Sequence, residues 1–197
     1  MTRTRVARAV VAAWFAVACT PSADDHAGKD STTSAAADST RSPSSSPLAG
    51  TTAWRVGADA IGPIRVGMSA NDARRILGLA PQSKSAPGCS YITGAASTAL
   101  HANVMLTDDT VVRFDIRDGA IATAEGARVG DTEARVRSLY GARVSAQPHK
   151  YVEGGHYLVV SDPAHPDDRI VFETDGKVVT QFRTGRTPEV TNVEGCG

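Results

Sequence analysis

The sequence predicts an α+β domain built from two tandem helix–strand–hairpin repeats, with short helices packed on one face of an antiparallel sheet. Three observations carry this expectation. Arg65-Val66-Gly67-Met68-Ser69 recurs as Arg128-Val129-Gly130-Asp131-Thr132. Gly78 recurs as Gly141 at the same displacement along the chain. Two strand–turn–strand patterns follow, one around Asp108-Asp109 and one around Asp175-Gly176. The repeats span about 61–124 and 125–185.

The first helix follows from its residues in order. Ser69 can cap the free N–H groups of the opening turn, and Asp72 adds an acid at the third helical position. Ala73, Ile76 and Leu77 then fall on one face. Gly78 supplies a left-handed stop, and Pro81 forbids continuation. The second helix repeats the scheme. Asp131 or Thr132 caps it, Glu133 lies in the first turn, Val136, Leu139 and Tyr140 form the face, and Gly141 closes it. Helices this short are marginal alone and must pack on something.

Strand periodicity supplies the surface they pack on. His101 to Leu106 leads through Thr107-Asp108-Asp109-Thr110 into Val111 to Ile116. There Val112, Phe114 and Ile116 alternate with Arg113, Asp115 and Arg117, the pattern of a half-buried strand. Arg169 to Thr174 leads through Asp175-Gly176 into Lys177 to Arg183. This second hairpin is displaced a few residues more than the helices. That implies a small insertion near Gly154-Gly155 or in an Asp162-to-Asp168 loop.

The N-terminus reads as an address. Arg3, Arg5 and Arg8 precede an apolar run from Ala9 to Ala18, too short to span a bilayer. Residues 1–18 are therefore expected to be an export signal. Ala16-Val17-Ala18 suits ordinary signal peptidase, and the same residues before Cys19 resemble a bacterial lipobox, departing from it at Ala16, where Leu is usual. The three cysteines favour the lipobox: with Cys19 acylated, Cys89 and Cys196 remain as an even pair in an oxidising compartment. Thr20, rather than Asp, after the cysteine implies outer-membrane sorting in a Gram-negative envelope. Residues 19–52 are Ser, Thr, Ala and Pro-rich, with Leu48 the one large aliphatic side chain, and are expected to be a disordered tether. Residues 53–197 suit one domain. A Cys89–Cys196 disulfide would contribute about 4–5 kcal/mol in the chain-entropy model.

Val66-Gly67-Met68-Ser69, the acid at Asp72, Leu77-Gly78 and Pro81 resemble the helix segment of small envelope lipoproteins of the BamE/SmpA type. Tandem use of a helix-plus-sheet unit resembles the architecture of β-lactamase inhibitory protein. The resemblance covers mainly Ile61 to Pro81, and less fully Ala127 to Gly141. It implies an envelope location and a binding or assembly role, and it brings no catalytic residue. Asp131 stands where the motif has Met68.

The composition narrows the function further. The chain has 21 basic and 21 acidic residues and no basic stripe, so no nucleic-acid partner is expected and membrane contact is expected only through the lipid. The sequence lacks H-E-x-x-H, G-x-S-x-G, a P-loop and C-x-x-C. No catalytic residue, metal site or cofactor is therefore assigned. Candidate binding residues are those where the repeats differ: Met68, and His149, His156 and Asp168 in the stretch from His149 to Asp168. The leading expectation is a non-enzymatic exported lipoprotein that binds an envelope protein or a small ligand. The alternatives are a secreted enzyme inhibitor, or a metal-dependent hydrolase using His149, His156 and Asp168. Asp162, Asp167 and Asp168 could bind calcium as a loop cluster, or lie in a solvated connection between strands.

Overall fold

Glycines with positive φ turn the chain into two of its helices: Gly67 has φ 87° and Gly130 φ 92°, values that a side chain would disfavour. The computed structural model describes residues 54–83 and 87–196. The expected export signal, Cys19 and the expected tether lie outside the described residues. Within them the chain opens on a two-strand hairpin, β1 (Ala60–Ile61) and β2 (Ile64–Arg65), and enters α1 (Ala70–Ile76). Ser69 caps α1, its Oγ accepting from the Asp72 N–H at 3.1 Å. The Asp72 carboxylate accepts from the Ser69 hydroxyl at 2.6 Å and pairs with Arg75 at 2.7 Å. Then follow β3 (Cys89–Ile92), α2 (Ala95–Leu100), β4 (Asn103–Thr107) and β5 (Thr110–Ile116).

The second half begins with α3 (Glu133–Tyr140). Of the two candidate caps, Thr132 is the one used, accepting from Arg135 N–H at 3.2 Å. Asp131 instead accepts from the Arg128 N–H at 2.9 Å, which fixes the turn before the helix. The strands β6 (Val144–Pro148), β7 (His156–Asp162), β8 (His165–Thr174) and β9 (Val179–Arg186) follow. A 3₁₀ turn at Glu189–Thr191 then leads to the C-terminal tail.

Both helix entries are stitched to the sheet by the same kind of main-chain bonds. Gly67 N–H donates to Val111 O at 2.8 Å, Val111 N–H to Met68 O at 2.8 Å, and Ala70 N–H to Asp109 O at 2.7 Å. Gly130 N–H donates to Val179 O at 2.9 Å, Val179 N–H to Asp131 O at 2.8 Å, and Glu133 N–H to Lys177 O at 3.1 Å.

The seven larger strands form one antiparallel sheet in the order β3-β4-β5-β9-β8-β7-β6. The seam between the two halves is β5 against β9. Gly185 lies on it: a Cβ there would sit 2.4 Å from Val112 O and 2.8 Å from Arg113 Cα, so the strands approach too closely for any side chain. One face carries the helices. Leu77, Leu100, Val136 and Tyr140 bury against Val104, Phe114, Leu158, Ile170, Phe172 and Phe182. The other face carries a smaller apolar cluster of Tyr157, Val171 and Val190.

The sheet-rich α+β class and the helix positions agree with expectation, but neither half is a plain helix–strand–hairpin. The first half inserts α2 between β3 and β4, and the second adds β6 at the sheet edge. The turn geometry also differs. Asp108 and Asp109 both take positive φ, 49° and 60°, and make the tight two-residue turn. Asp175-Gly176 opens a longer connection in which Thr174 pairs with Val179, so β9 begins at Val179 rather than Lys177. The expected Asp162-to-Asp168 loop is mostly strand: only Pro163 and Ala164 separate β7 from β8.

Candidate functional site

Side-chain alternation puts Tyr157, Val159 and Ser161 of β7, Arg169, Val171 and Glu173 of β8, and Gln181 and Arg183 of β9 on the face away from the helices. Strand register assembles them into cross-strand rows. Gln147, Tyr157, Glu173 and Gln181 form one, and Ser145, Val159, Val171 and Arg183 the next. Ser161 and Arg169 form a third, which ends at Gly185. This outer face has two very different regions.

Toward β5 and β9 it is sealed. The chain after β9 crosses over it, and Cys196 is disulfide-bonded to Cys89 at the start of β3, with a Cα separation of 5.4 Å. Four charges lie underneath: Arg113, Asp115, Glu173 and Arg183 are each 8% exposed or less. The expectation that Arg113 and Asp115 face solvent is therefore corrected, because the tail supplies a second cover for β5. Desolvation this deep must be offset by pairing. Arg113 Nε donates to Asp115 at 2.8 Å, and its Nη1 donates to the carbonyls of Glu189 and Asn192 at 2.9 and 2.5 Å. Tyr91 OH donates to the other Asp115 oxygen at 3.1 Å. Burial above all, then the Asp115 charge, raises the Tyr91 phenol above its ordinary value.

Glu173 is the second hub. Its carboxylate accepts from Arg183 Nη1, from Gln181 Nε2 at 2.6 Å and from His149 Nε2 at 3.3 Å. Arg183 also donates from Nε to Val190 O at 2.6 Å, which ties the tail to β9. Burial lowers the Arg183 guanidinium from its ordinary value, with Glu173 opposing that shift.

Toward β6 the face is open. Between the strands and the tail lies a cavity of about 380 Å³ whose floor is Val159, Val171, Arg169 and Arg183. Thr187, Thr191 and Val193 form the tail-side wall, and Ser145, Gln147 and Ser161 the opposite rim. A second hollow of about 510 Å³ shares Ser145, Ser161 and Arg169 and continues to Asp162, Pro163 and Arg143. Arg169 therefore stands where the two meet. Its Nη1 donates to Asp168 O at 2.8 Å, and among the described residues no carboxylate pairs with it.

The candidate residues named from sequence do not form one site. His149 is on the outer face, stacked on Tyr157 with ring centroids 4.4 Å apart. Its Nδ1 accepts from the N–H groups of Tyr151 and Val152 at 3.1 and 3.2 Å, so Nε2 carries the proton given to Glu173. His156 lies on the helix face, its Nδ1 2.8 Å from Glu133 in the first turn of α3. Asp168 is also on that face, buried and 3.4 Å from Arg186 Nε. From Asp168 to Glu173, the partner of His149, is five residues of strand, about 16 Å. The hydrolase arrangement of His149, His156 and Asp168 is thus split across the sheet, and among the described residues no group of three metal-ligating side chains converges. Nor do the aspartates cluster: the Asp162 carboxylate accepts from Ala164 N–H within the β7–β8 turn. Met68 is half-buried against the core, apart from the two histidines and Asp168.

Aromatic side chains are mostly spent inside, in Phe114, Phe172, Phe182 and Tyr140. Among the described residues Tyr151 is the exposed aromatic, at 61%. Its hydroxyl donates to Glu194, to which Lys150 Nζ also bonds at 2.9 Å, a second fastening of the tail. Arg169 could not be picked out from spacing alone, whereas the expected Cys89–Cys196 pairing, which the structure contains, already tied the tail to the first half. The one signal for Arg169 is that Ser161 and Arg169 take odd positions in strands where Leu158, Val160, Ile170 and Phe172 hold even ones.

No family model and no curated protein matches this chain. Its structure is similar, remotely, to the crystal structure of the uncharacterized protein yfeY from Escherichia coli, with 11% identity and a TM-score of 0.34 over 67% of this chain and 99% of that one, a likeness too distant to carry an argument.

Proposed function

We propose that the chain is a non-enzymatic exported lipoprotein, anchored through Cys19, whose domain is a binding module for an envelope protein or small ligand. Its binding surface is the open groove on the outer face between β6 and the C-terminal tail. The observation that supports this reading most is the form of that groove. It is a hollow of about 380 Å³, within the range of small-ligand pockets, with two valines and two arginines in its floor and hydroxyl and amide groups around its rim. We propose further that the two halves descend from one unit used twice. That reading rests on the matched main-chain bonds at Gly67 and Gly130, and on Phe114 and Phe182 flanking the β5–β9 seam in equivalent registers.

Site-specific photocrosslinking in cells tests the binding reading. A photoreactive residue at Ser145 or Ser161 should give a reproducible adduct, and one at exposed Arg75 on α1 should give none. Equal adducts from both faces, or none from the groove under several growth conditions, would sink it.

A further inference from the structure

The groove also shows which ligand chemistry suits it. We propose, on the basis of the binding-module reading, that it holds a short peptide by a free C-terminal carboxylate, with Arg169 as the residue that reads that carboxylate and Val159, Val171 and Val193 as the seat for a small aliphatic last side chain.

Charge complementarity comes first. The other arginine of the floor, Arg183, is consumed by Glu173 and the Val190 carbonyl. Arg143, at the far end of the second hollow, is paired with Glu125 at 3.1 Å and lies over the Tyr140 ring. Glu173, four residues further along β8 on the same face, has its charge offset by three donors. Asp168, the residue before Arg169, points through the sheet to Arg186. Asp162 sits in the second hollow, 3.8 Å from His165. Arg169 thus brings a guanidinium to the junction of both hollows with one N–H spent on Asp168 O and the rest of the fork free for an anion. A guanidinium fork matches a carboxylate with two parallel N–H···O bonds, which favours a planar carboxylate over a diffuse anion.

The groove then sets what lies behind that carboxylate. The Ser161–Arg169 row and the Ser145–Val159–Val171 row are two residues apart along the strands, about 7 Å. One carboxy-terminal residue bridges that span, with its acid group on Arg169 and its side chain over the valines. Past it, Ser145 and Gln147 on one rim and Thr187 and Thr191 on the other offer hydroxyl and amide partners for peptide N–H and C=O groups. The chemistry assigned is that of an extended peptide end.

Full-length protein, disulfide intact, is titrated with N-acetyl-Ala-Ala-Val bearing a free carboxylate and with the same peptide as its carboxamide. The acid should bind at least about tenfold more tightly, the worth of a charge-assisted pair to one anchoring group. Arg169→Gln should reduce the acid to the level of the amide without altering amide binding. Arg169→Lys should retain part of the preference, and Arg143→Gln should change nothing. Equal binding of acid and amide, full affinity in Arg169→Gln with an unchanged melting temperature, or no binding of the acid overturns the inference. Should the peptides fail while crosslinks from Ser161 persist, only the carboxylate assignment falls. Should both fail, the binding-module reading falls with it.

Discussion

Glu173 shows how one buried acid is made tolerable and what it holds in place. Arg183, Gln181 and His149 surround it, and His149 is itself oriented by two backbone N–H groups, so β8, β9 and the 149–155 loop meet at one carboxylate. Truncating Arg183 to Met should leave that acid underpaired and cost about 3–5 kcal/mol in a urea titration, whereas Arg183→Met with Glu173→Leu should cost distinctly less, because neither charge is then buried alone. A loss no smaller in the double variant would mean that tail docking through Val190, and not charge pairing, sets the effect. Glu133 gives a pH signature. Burial pushes its carboxyl up, but Thr174, His156 and Arg137 together hold it below its ordinary value of 4.5. A depressed folded-state value means that its stabilisation is fully present above pH 4.5 and is lost as the pH falls through the lower folded value. Thermal midpoints measured on the acid side should therefore fall less steeply for Glu133→Gln than for the native chain, with the two curves parallel near neutrality. Identical acid limbs would remove Glu133 from the account.

At the scale of elements, what was legible in sequence is what local chemistry decides. Ser69, Gly67, Gly130 and the apolar faces of α1 and α3 specify those helices within a few residues. The β4–β5 and β8–β9 hairpins were legible for the same reason, since strand alternation and turn residues are local signals. The rest depends on partners distant in sequence. Arg113 and Asp115 alternate like solvent-facing residues and are buried only because residues 187–196 return across β5. Asp168 reads as a loop acid and is a strand residue, because Arg186 meets it across the sheet. The six residues of α2 are too few to show a period, and the open groove exists only where β6 and the tail leave a gap. Two variants probe these long-range elements. Gly185→Ala should destabilise the β5–β9 seam by about 1–3 kcal/mol or more, because its Cβ meets backbone that cannot move aside. A neutral result would show that the seam is looser than its geometry implies. Replacing Cys89 and Cys196 together with Ser should cost about 2–5 kcal/mol. The amides of Thr191 and Asn192, bonded to Pro188 and Glu189 carbonyls, should then lose hydrogen-exchange protection before Val111 and Val179 do. Simultaneous loss across all four amides would mean that the tail and sheet open as one unit.

At the scale of the whole molecule, the proposed anchor and the proposed groove constrain each other. If 20–52 is the tether its composition predicts, a coil of that length would have a root-mean-square reach of about 30 Å. Anchored at Cys19, the domain would therefore sample a shell comparable to its own diameter above the bilayer. A ligand confined to the same envelope surface would be met at high effective concentration, and a weak groove would then suffice. A single acyl chain holds a protein only marginally, so firm anchoring requires the multiply acylated cysteine of a processed lipoprotein. Cys19→Ser tests this directly. The native protein should incorporate labelled palmitate and sediment with membranes. The variant should do neither, yet keep its Cys89–Cys196 bond and its groove crosslinks when supplied in soluble form. A native chain that carries no label and begins after Ala18 would place the protein free in the exported compartment. Binding would then have to reach useful occupancy without the gain in local concentration, and the groove's affinity for its ligand would have to be correspondingly higher.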